Sequence, residues 1–150
     1  MFVIKKMGLL ISLLLLISCN SMTSQQPATL YERLGAEPGV ANIVDHLLYE
    51  IGESDVLRPV FAKTDIDRFR TKLIEHICAL SDGPCHYTGD NMAEVHAGMV
   101  MSNRHFDAMV TALSDAMTDN NIASGAQNAL LARLVPLHDE IMSETVAPSH

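Results

Sequence analysis

From Val40 onward, apolar residues return every three or four positions. Val40, Ile43, Val44, Leu47, Leu48 and Ile51 fall at i, i+3, i+4, i+7, i+8 and i+11, one stripe of an α-helix. Pro38 suits the first turn of that helix, and Gly52 ends it. Ahead of it, Thr29-Leu30-Tyr31-Glu32-Arg33-Leu34 reads as a short helix stopped by Gly35. A brief turn over Val56-Leu57-Arg58-Pro59-Val60-Phe61 follows, kept short by Pro59. Thr64 with Asp67 three residues on has the form of a capping box, and the helix it opens turns Ile66, Phe69, Leu73, Ile77 and Leu80 inward. Ser81-Asp82-Gly83-Pro84 breaks that helix, and a loop runs to Asn91. The next helix ends near Gly98 and places Met92, Val95, His96 and Met99 on one face. Ser102 can cap another, with Phe106, Met109, Val110, Leu113 and Met117 inward, and Asn120-Asn121 marks a turn. The final helix carries Leu130, Leu131, Leu134, Ile141 and Met142, and Pro136 inside it predicts a kink. No stretch alternates with period two for long and no repeat is visible, so the predicted class is all-α.

The start of the chain follows other rules. Lys5-Lys6 precedes an apolar run from Gly8 to Ser18, the basic-then-apolar order of a secretory signal and too short for a comfortable membrane span. Leu16-Ile17-Ser18-Cys19 resembles a bacterial lipobox, which implies that Cys19 becomes the acylated first residue of the mature chain. Asn20 after the cysteine favours, by the same resemblance, the outer membrane of a Gram-negative cell, with the domain facing the periplasm. An uncleaved anchor is the alternative. The expected organisation is a lipoprotein signal peptide over 1–18, a lipidated polar tether over 19–28, one domain over 29–144 and a tail over 145–150.

Loss of 1–18 would remove two lysines and no acid, making the mature chain two units more negative than the −8 of the whole. That acidity argues against nucleic acid or an anionic lipid surface as partner, and leaves membrane attachment to lipid chains.

His96 is the residue whose chemistry stands out. Few carboxylates or other histidines lie near it in sequence, which disfavours a multi-residue zinc site. One neutral imidazole on an apolar helix face suits a metal that already has four other ligands. Haem iron is such a metal, and a proximal histidine is its usual anchor. The bland reading is a core histidine satisfied by its surroundings. If His96 is a ligand, its other ring nitrogen should donate to a nearby backbone carbonyl such as that of Met92.

Five stretches occur in an order that points to a family. Tyr31-Glu32-Arg33-Leu34-Gly35, Phe61-Ala62-Lys63-Thr64-Asp65, Gly83-Pro84-Cys85-His86-Tyr87-Thr88-Gly89, Val95-His96-Ala97-Gly98-Met99 and His105-Phe106 resemble the group I truncated haemoglobins. The resemblance covers roughly Leu30 to Ile141. It implies a shortened globin, a two-over-two helical sandwich holding haem b. In that match His96 is the proximal iron ligand, Phe61 packs on the porphyrin, and Gly35 and Gly83 are hinge glycines. The cofactor-binding set expected from residues and resemblance together is Leu48, Phe61, Phe69, Lys72, Leu73, His76, Tyr87, Met92, Val95 and Phe106, with Met99 and other methionines filling gaps.

On the distal side the sequence departs from the better-known pattern. Many members place a Tyr on the second helix and a Gln on the third to hydrogen-bond a ligand at the iron. A gapless match puts Leu48 at the first position and Phe69 and Leu73 at the usual third-helix positions, and none can donate. Tyr49 lies one residue along, about 100° round the helix, where a register slip would restore a donor. Lys72 matches a position where some relatives offer a histidine as sixth ligand, and His76 lies one turn beyond it. The bland readings are a surface or propionate-pairing lysine and a partly exposed histidine.

The remaining histidines, His46, His86, His105, His138 and His150, show no paired metal spacing and carry little functional weight. Asp82 stands where C-x-x-C-H would need a cysteine, which disfavours covalent haem attachment through Cys85-His86. Cys78 and Cys85, seven apart at a helix end and in the adjoining loop, can form a disulfide in an oxidising compartment; a zinc site with a nearby His is the badly spaced alternative.

The leading expectation is therefore a haem-binding globin tethered by lipid, binding oxygen or another diatomic ligand, with a reductase as a further partner. A haem redox enzyme (nitric oxide oxidation or peroxidase-like turnover) is the alternative within haem chemistry. A haem-free all-α envelope lipoprotein is the alternative outside it.

Overall fold

The computed structural model of the chain describes residues 27–143. The expected signal segment, Cys19 and the tail over 145–150 lie outside them. The described residues form eight helices and no strand: α1 Leu30–Arg33, α2 Ala36–Glu53, α3 Arg58–Phe61, α4 Ile66–Leu80, α5 Met92–His96, α6 Asn103–Asp119, α7 Ser124–Leu134 and α8 Leu137–Ser143. Helix α2 is the hub and packs on both α4 and α6. Helix α1 sits against α2 and α7, α7 against α6 and α8, and the short α5 rests on α8. The paired helices α2 and α4 face the layer made by α6 and α7–α8, a two-over-two sandwich.

The predicted stripe of α2 is its buried face, with Val40, Ile43, Val44, Leu47 and Ile51 in the core. Leu34, Leu57, Ile77, Met117 and Leu130 close around them. Each such side chain contributes about 1.5–3 kcal/mol of burial. At the join of α1 and α2, Gly35 adopts φ +92°, and a Cβ on Gly39 would sit 2.1 Å from the Leu34 carbonyl oxygen. Glycine at both positions lets the short first helix turn directly into the long second one.

Four local features differ from the sequence-based expectation. The N-cap of α4 is Asp65, whose side chain accepts from the Arg68 amide at 3.1 Å, and Thr64 stands one residue too early for that geometry. Ile66, in the first turn with nothing folded over it, is exposed instead of inward. Helix α5 ends at His96, so Met99 lies beyond it, and a helix of five residues is too short to carry the long apolar face expected. The last helix is broken into α7 and α8 and not merely kinked, because Pro136 lacks an N–H and its ring crowds the preceding turn.

Candidate functional site

Between the two layers lies a cavity of about 540 Å³. Leu47 of α2, Phe61 of α3, Phe69 and Leu73 of α4, Met92 and Val95 of α5, and Phe106, Met109 and Leu113 of α6 form an apolar lining. Leu137 and Ile141 of α8 also line it.

Of the residues expected to bind a cofactor, Phe61, Phe69, Lys72, Leu73, His76, Tyr87, Met92, Val95 and Phe106 all line this cavity, and so does His96. Val95 is 45% exposed, in contrast to the inward position read from the sequence. Leu48 is not in the lining. It packs, half-buried, on the core, and Leu47 takes the wall position, one residue and about 100° round the helix. Tyr49 is 65% exposed, so the register slip that would have made it a donor does not occur. His105, given little weight from sequence, also lines the cavity; its Nδ1 accepts from the Ser102 amide at 3.2 Å. Its place in the His105-Phe106 motif was the signal that pointed there. Arg68 was missed altogether, since nothing in the pattern separates it from a solvated arginine.

His96 is placed by local structure. Asn91 caps α5 by accepting from the Glu94 amide at 2.9 Å, while Glu94 Oε2 accepts from the Asn91 amide at 3.3 Å. Five residues on, the His96 Nδ1 lies 2.8 Å from the Met92 carbonyl oxygen, the hydrogen bond expected from sequence. A carbonyl can only accept, so Nδ1 carries the proton and Nε2 keeps its lone pair. No cluster of three or more His, Cys, Asp or Glu among the described residues is arranged to hold a metal ion.

The α4 wall carries the polar groups. Lys72 Nζ lies 3.0 and 3.2 Å from the Glu75 carboxylate oxygens and donates also to Thr88 Oγ1. Thr88 in turn donates to Glu75 Oε2 from its hydroxyl at 2.8 Å and its amide at 3.2 Å. The Lys72 ammonium, then the Thr88 donors, hold the Glu75 carboxyl below its usual range. His76 stands one turn on, its ring 4.8 Å from that of Tyr87 in an edge arrangement. Burial pushes the His76 imidazole toward the neutral form and, with the nearby Asp90 and Glu75 charges adding less, raises the Tyr87 phenol. The Tyr87 hydroxyl donates to the Asp90 carbonyl at 2.9 Å.

Cys78 and Cys85 are joined in a disulfide, with Cα atoms 5.8 Å apart. It ties the end of α4 to the loop that carries Tyr87 and Thr88, and it removes both thiols from any zinc site. Arg133 of α7 holds the same corner, donating to Asp82 at 2.6 Å and to the Leu80 carbonyl.

Comparison with known proteins agrees with this architecture. The family model described as bacterial-like globin matches residues 29–143. The group 1 truncated haemoglobin of Nostoc sp. (strain MUN 8820) is 31% identical over 117 residues, which cover 78% of this chain and 99% of that one. That of Tetrahymena pyriformis is 30% identical over 103 residues, covering 69% and 85%. The crystal structure of the Tetrahymena pyriformis protein in its Fe(III) form superposes with a TM-score of 0.74 at 26% identity, over 76% of this chain and 97% of that one. A helical sandwich with a histidine in the wall of an apolar cavity, matched along nearly its whole domain, places this chain in the bacterial-like globin family, among the relatives of the group 1 truncated haemoglobins.

Proposed function

We propose that the cavity would hold haem b, with His96 Nε2 as the protein ligand to its iron, and that the protein binds a small diatomic ligand there. The observation that carries this is the His96–Met92 hydrogen bond, which makes Nε2 the lone-pair nitrogen of an imidazole lining the cavity. The fit is supported in two further ways. A volume of about 540 Å³ with mostly apolar walls suits a flat, largely apolar group. The described residues form no protein-only metal cage that would compete for the same role.

When bound, haem supplies an iron that can coordinate small ligands or exchange an electron. The chain's part is placement and exclusion. Phe61, Phe69 and Phe106 would pack against the bound group, and Leu47, Leu73 and Met109 would help to keep water from it. Met92 fixes the imidazole of His96. Phe69 and Leu73 offer no hydrogen bond to a bound ligand, while Lys72 and His76 are polar groups of the same wall. A haem redox reaction, such as nitric oxide oxidation or peroxidase-like turnover, is the second reading. A reductase partner belongs to that second reading.

The tether is proposed on the sequence alone: acylation of Cys19 would hold the acidic domain at the periplasmic side of the outer membrane. No helix among the described residues is long and apolar enough to cross a membrane. Cys19→Ser should release the domain from membranes or stall its processing; unchanged fractionation and cleavage would overturn lipidation.

The test of the central reading is a visible spectrum of the purified protein after haem loading. A Soret band with one haem per chain is expected, and its absence would leave the haem-free alternative.

A further inference from the structure

The loop between α4 and α5 is itself part of the cavity wall, to which it contributes Tyr87, Gly89 and Asp90. From Pro84 to Asp90 its backbone makes no hydrogen bond to other backbone groups among the described residues. It is wound on itself instead. The Tyr87 hydroxyl donates to the Asp90 carbonyl at 2.9 Å, and a Cβ on Gly89 would meet that same hydroxyl. Two fasteners join this loop to α4. One is polar, Thr88 against Glu75 and Lys72, with the Tyr87 ring resting beside His76. The other is covalent, the bridge from Cys78 to Cys85.

The end of α4 does not depend on that bridge. The Ser81 hydroxyl donates to the Ile77 carbonyl at 2.6 Å, and the Gly83 amide to the Cys78 carbonyl at 2.9 Å. The Tyr31 amide donates to the Ser81 carbonyl at 2.7 Å, and Arg133 holds Asp82 and the Leu80 carbonyl. Opening the bridge would therefore free the loop and leave the helix end in place. The two cysteines also differ in access. Cys78 is 1% exposed, whereas Cys85 lies on the surface. An attacking thiolate thus meets the bridge from the Cys85 side.

We propose that the Cys78–Cys85 bridge is a reducible latch on the cavity wall, opened at Cys85 by a partner protein that carries a dithiol. The partner's thiolate attacks the Cys85 sulfur, the sulfur–sulfur bond breaks, and the Cys78 sulfur leaves as a thiolate that takes up a proton. The partner's second thiol then attacks its own bridged sulfur and displaces Cys85. Both cysteines end as thiols and the partner as its disulfide, a transfer of two electrons and two protons. With the latch open, only the Thr88 contacts and the Tyr87 ring hold the loop to α4, and the cavity gains a movable side. The consequence for haem rests on the haem-binding reading above, whereas the exchange at Cys85 does not.

The test uses the full chain, purified in detergent and loaded with haem, before and after incubation with excess reduced thioredoxin as the protein dithiol. Thiol labelling counts the opened bridges, and amide hydrogen exchange by mass spectrometry follows the loop and, as a control, α2. Transfer of haem to added apomyoglobin reports the cavity. Opening the bridge should speed exchange in the loop and haem transfer by about tenfold or more each, with α2 unchanged. Cys78→Ser/Cys85→Ser should show the same two rates without any reductant. With glutathione in place of thioredoxin, an acid-quenched mixed disulfide should map to Cys85. A bridge that persists under thioredoxin, or a mixed disulfide on Cys78, would overturn the proposal. Loop exchange or haem transfer unmoved by confirmed reduction would also overturn it. Protection lost in α2 together with the loop would overturn it in favour of a bridge that only stabilises the whole fold. A parent that takes up no haem would sink the haem reading, and loop exchange with thiol labelling would still decide the latch.

Discussion

The Nδ1 of His96 donates to the carbonyl oxygen of Met92, one helical turn back, at 2.8 Å. This contact orients the imidazole and selects its tautomer within a helix of only five residues. His96→Gly should abolish the Soret band of the loaded protein, and added imidazole should bring it back by filling the space with a free ligand. Retention of the parent spectrum by His96→Gly would show that the iron is held elsewhere.

Lys72, Glu75 and Thr88 form a closed triangle at the edge of the cavity. The Glu75 carboxyl is held below its usual pKa, so this contribution is fully present above the unfolded carboxylate range and is lost as pH falls through the lower folded value. The Thr88 amide, which donates to Glu75 Oε2, is a direct reporter. Its hydrogen exchange should lose protection on acidification below the ordinary carboxylate range, after allowance for the intrinsic pH dependence. Glu75→Gln should lower protection at neutral pH and remove the acid step. Identical protection in parent and variant would rule the triangle out as a restraint on the loop.

The disulfide between Cys78 and Cys85 closes a short loop. The chain-entropy estimate for a loop of this size is about 2.5 kcal/mol of stability. The double variant Cys78→Ser/Cys85→Ser should unfold at correspondingly lower denaturant. In protein matured in an oxidising compartment, neither cysteine should react with a thiol reagent after denaturation without reductant. Two reactive thiols would refute the bridge.

Leu47, not Leu48, stands in the cavity wall and is almost wholly buried. Leu47→Ala should cost about 2–5 kcal/mol and change ligand release, while Leu48→Ala should cost less. Tyr49→Phe should leave release rates as they are, since its ring is exposed. A slower or faster release in Tyr49→Phe would place its hydroxyl in the pocket after all.

Two things could be read along the chain, the class of the fold and the presence of His96 in the cavity wall. The three-and-four spacing from Val40 to Ile51 predicted the buried face of α2, because a helix that must cover a core repeats its apolar residues at that period. His96 was legible as a cavity residue because it is a single histidine among apolar neighbours, set within ordered motifs. The cysteine pair was legible from its spacing beside a helix end, with zinc as the other possibility until the two sulfurs were seen bonded. The distal wall was decided by tertiary structure. A rotation of about 100° separates Leu47 from Leu48 and carries Tyr49 out to solvent, and the rotation of α2 is set by its packing on both α4 and α6. Lys72 and His76 looked alike as candidate donors along the chain. Thr88, sixteen residues beyond Lys72, folds back to occupy the lysine, and Tyr87 packs beside the histidine without satisfying its buried nitrogen. Helical periodicity is a local property that a sequence can display, whereas the choice between two polar groups one turn apart depends on which of them a distant loop reaches.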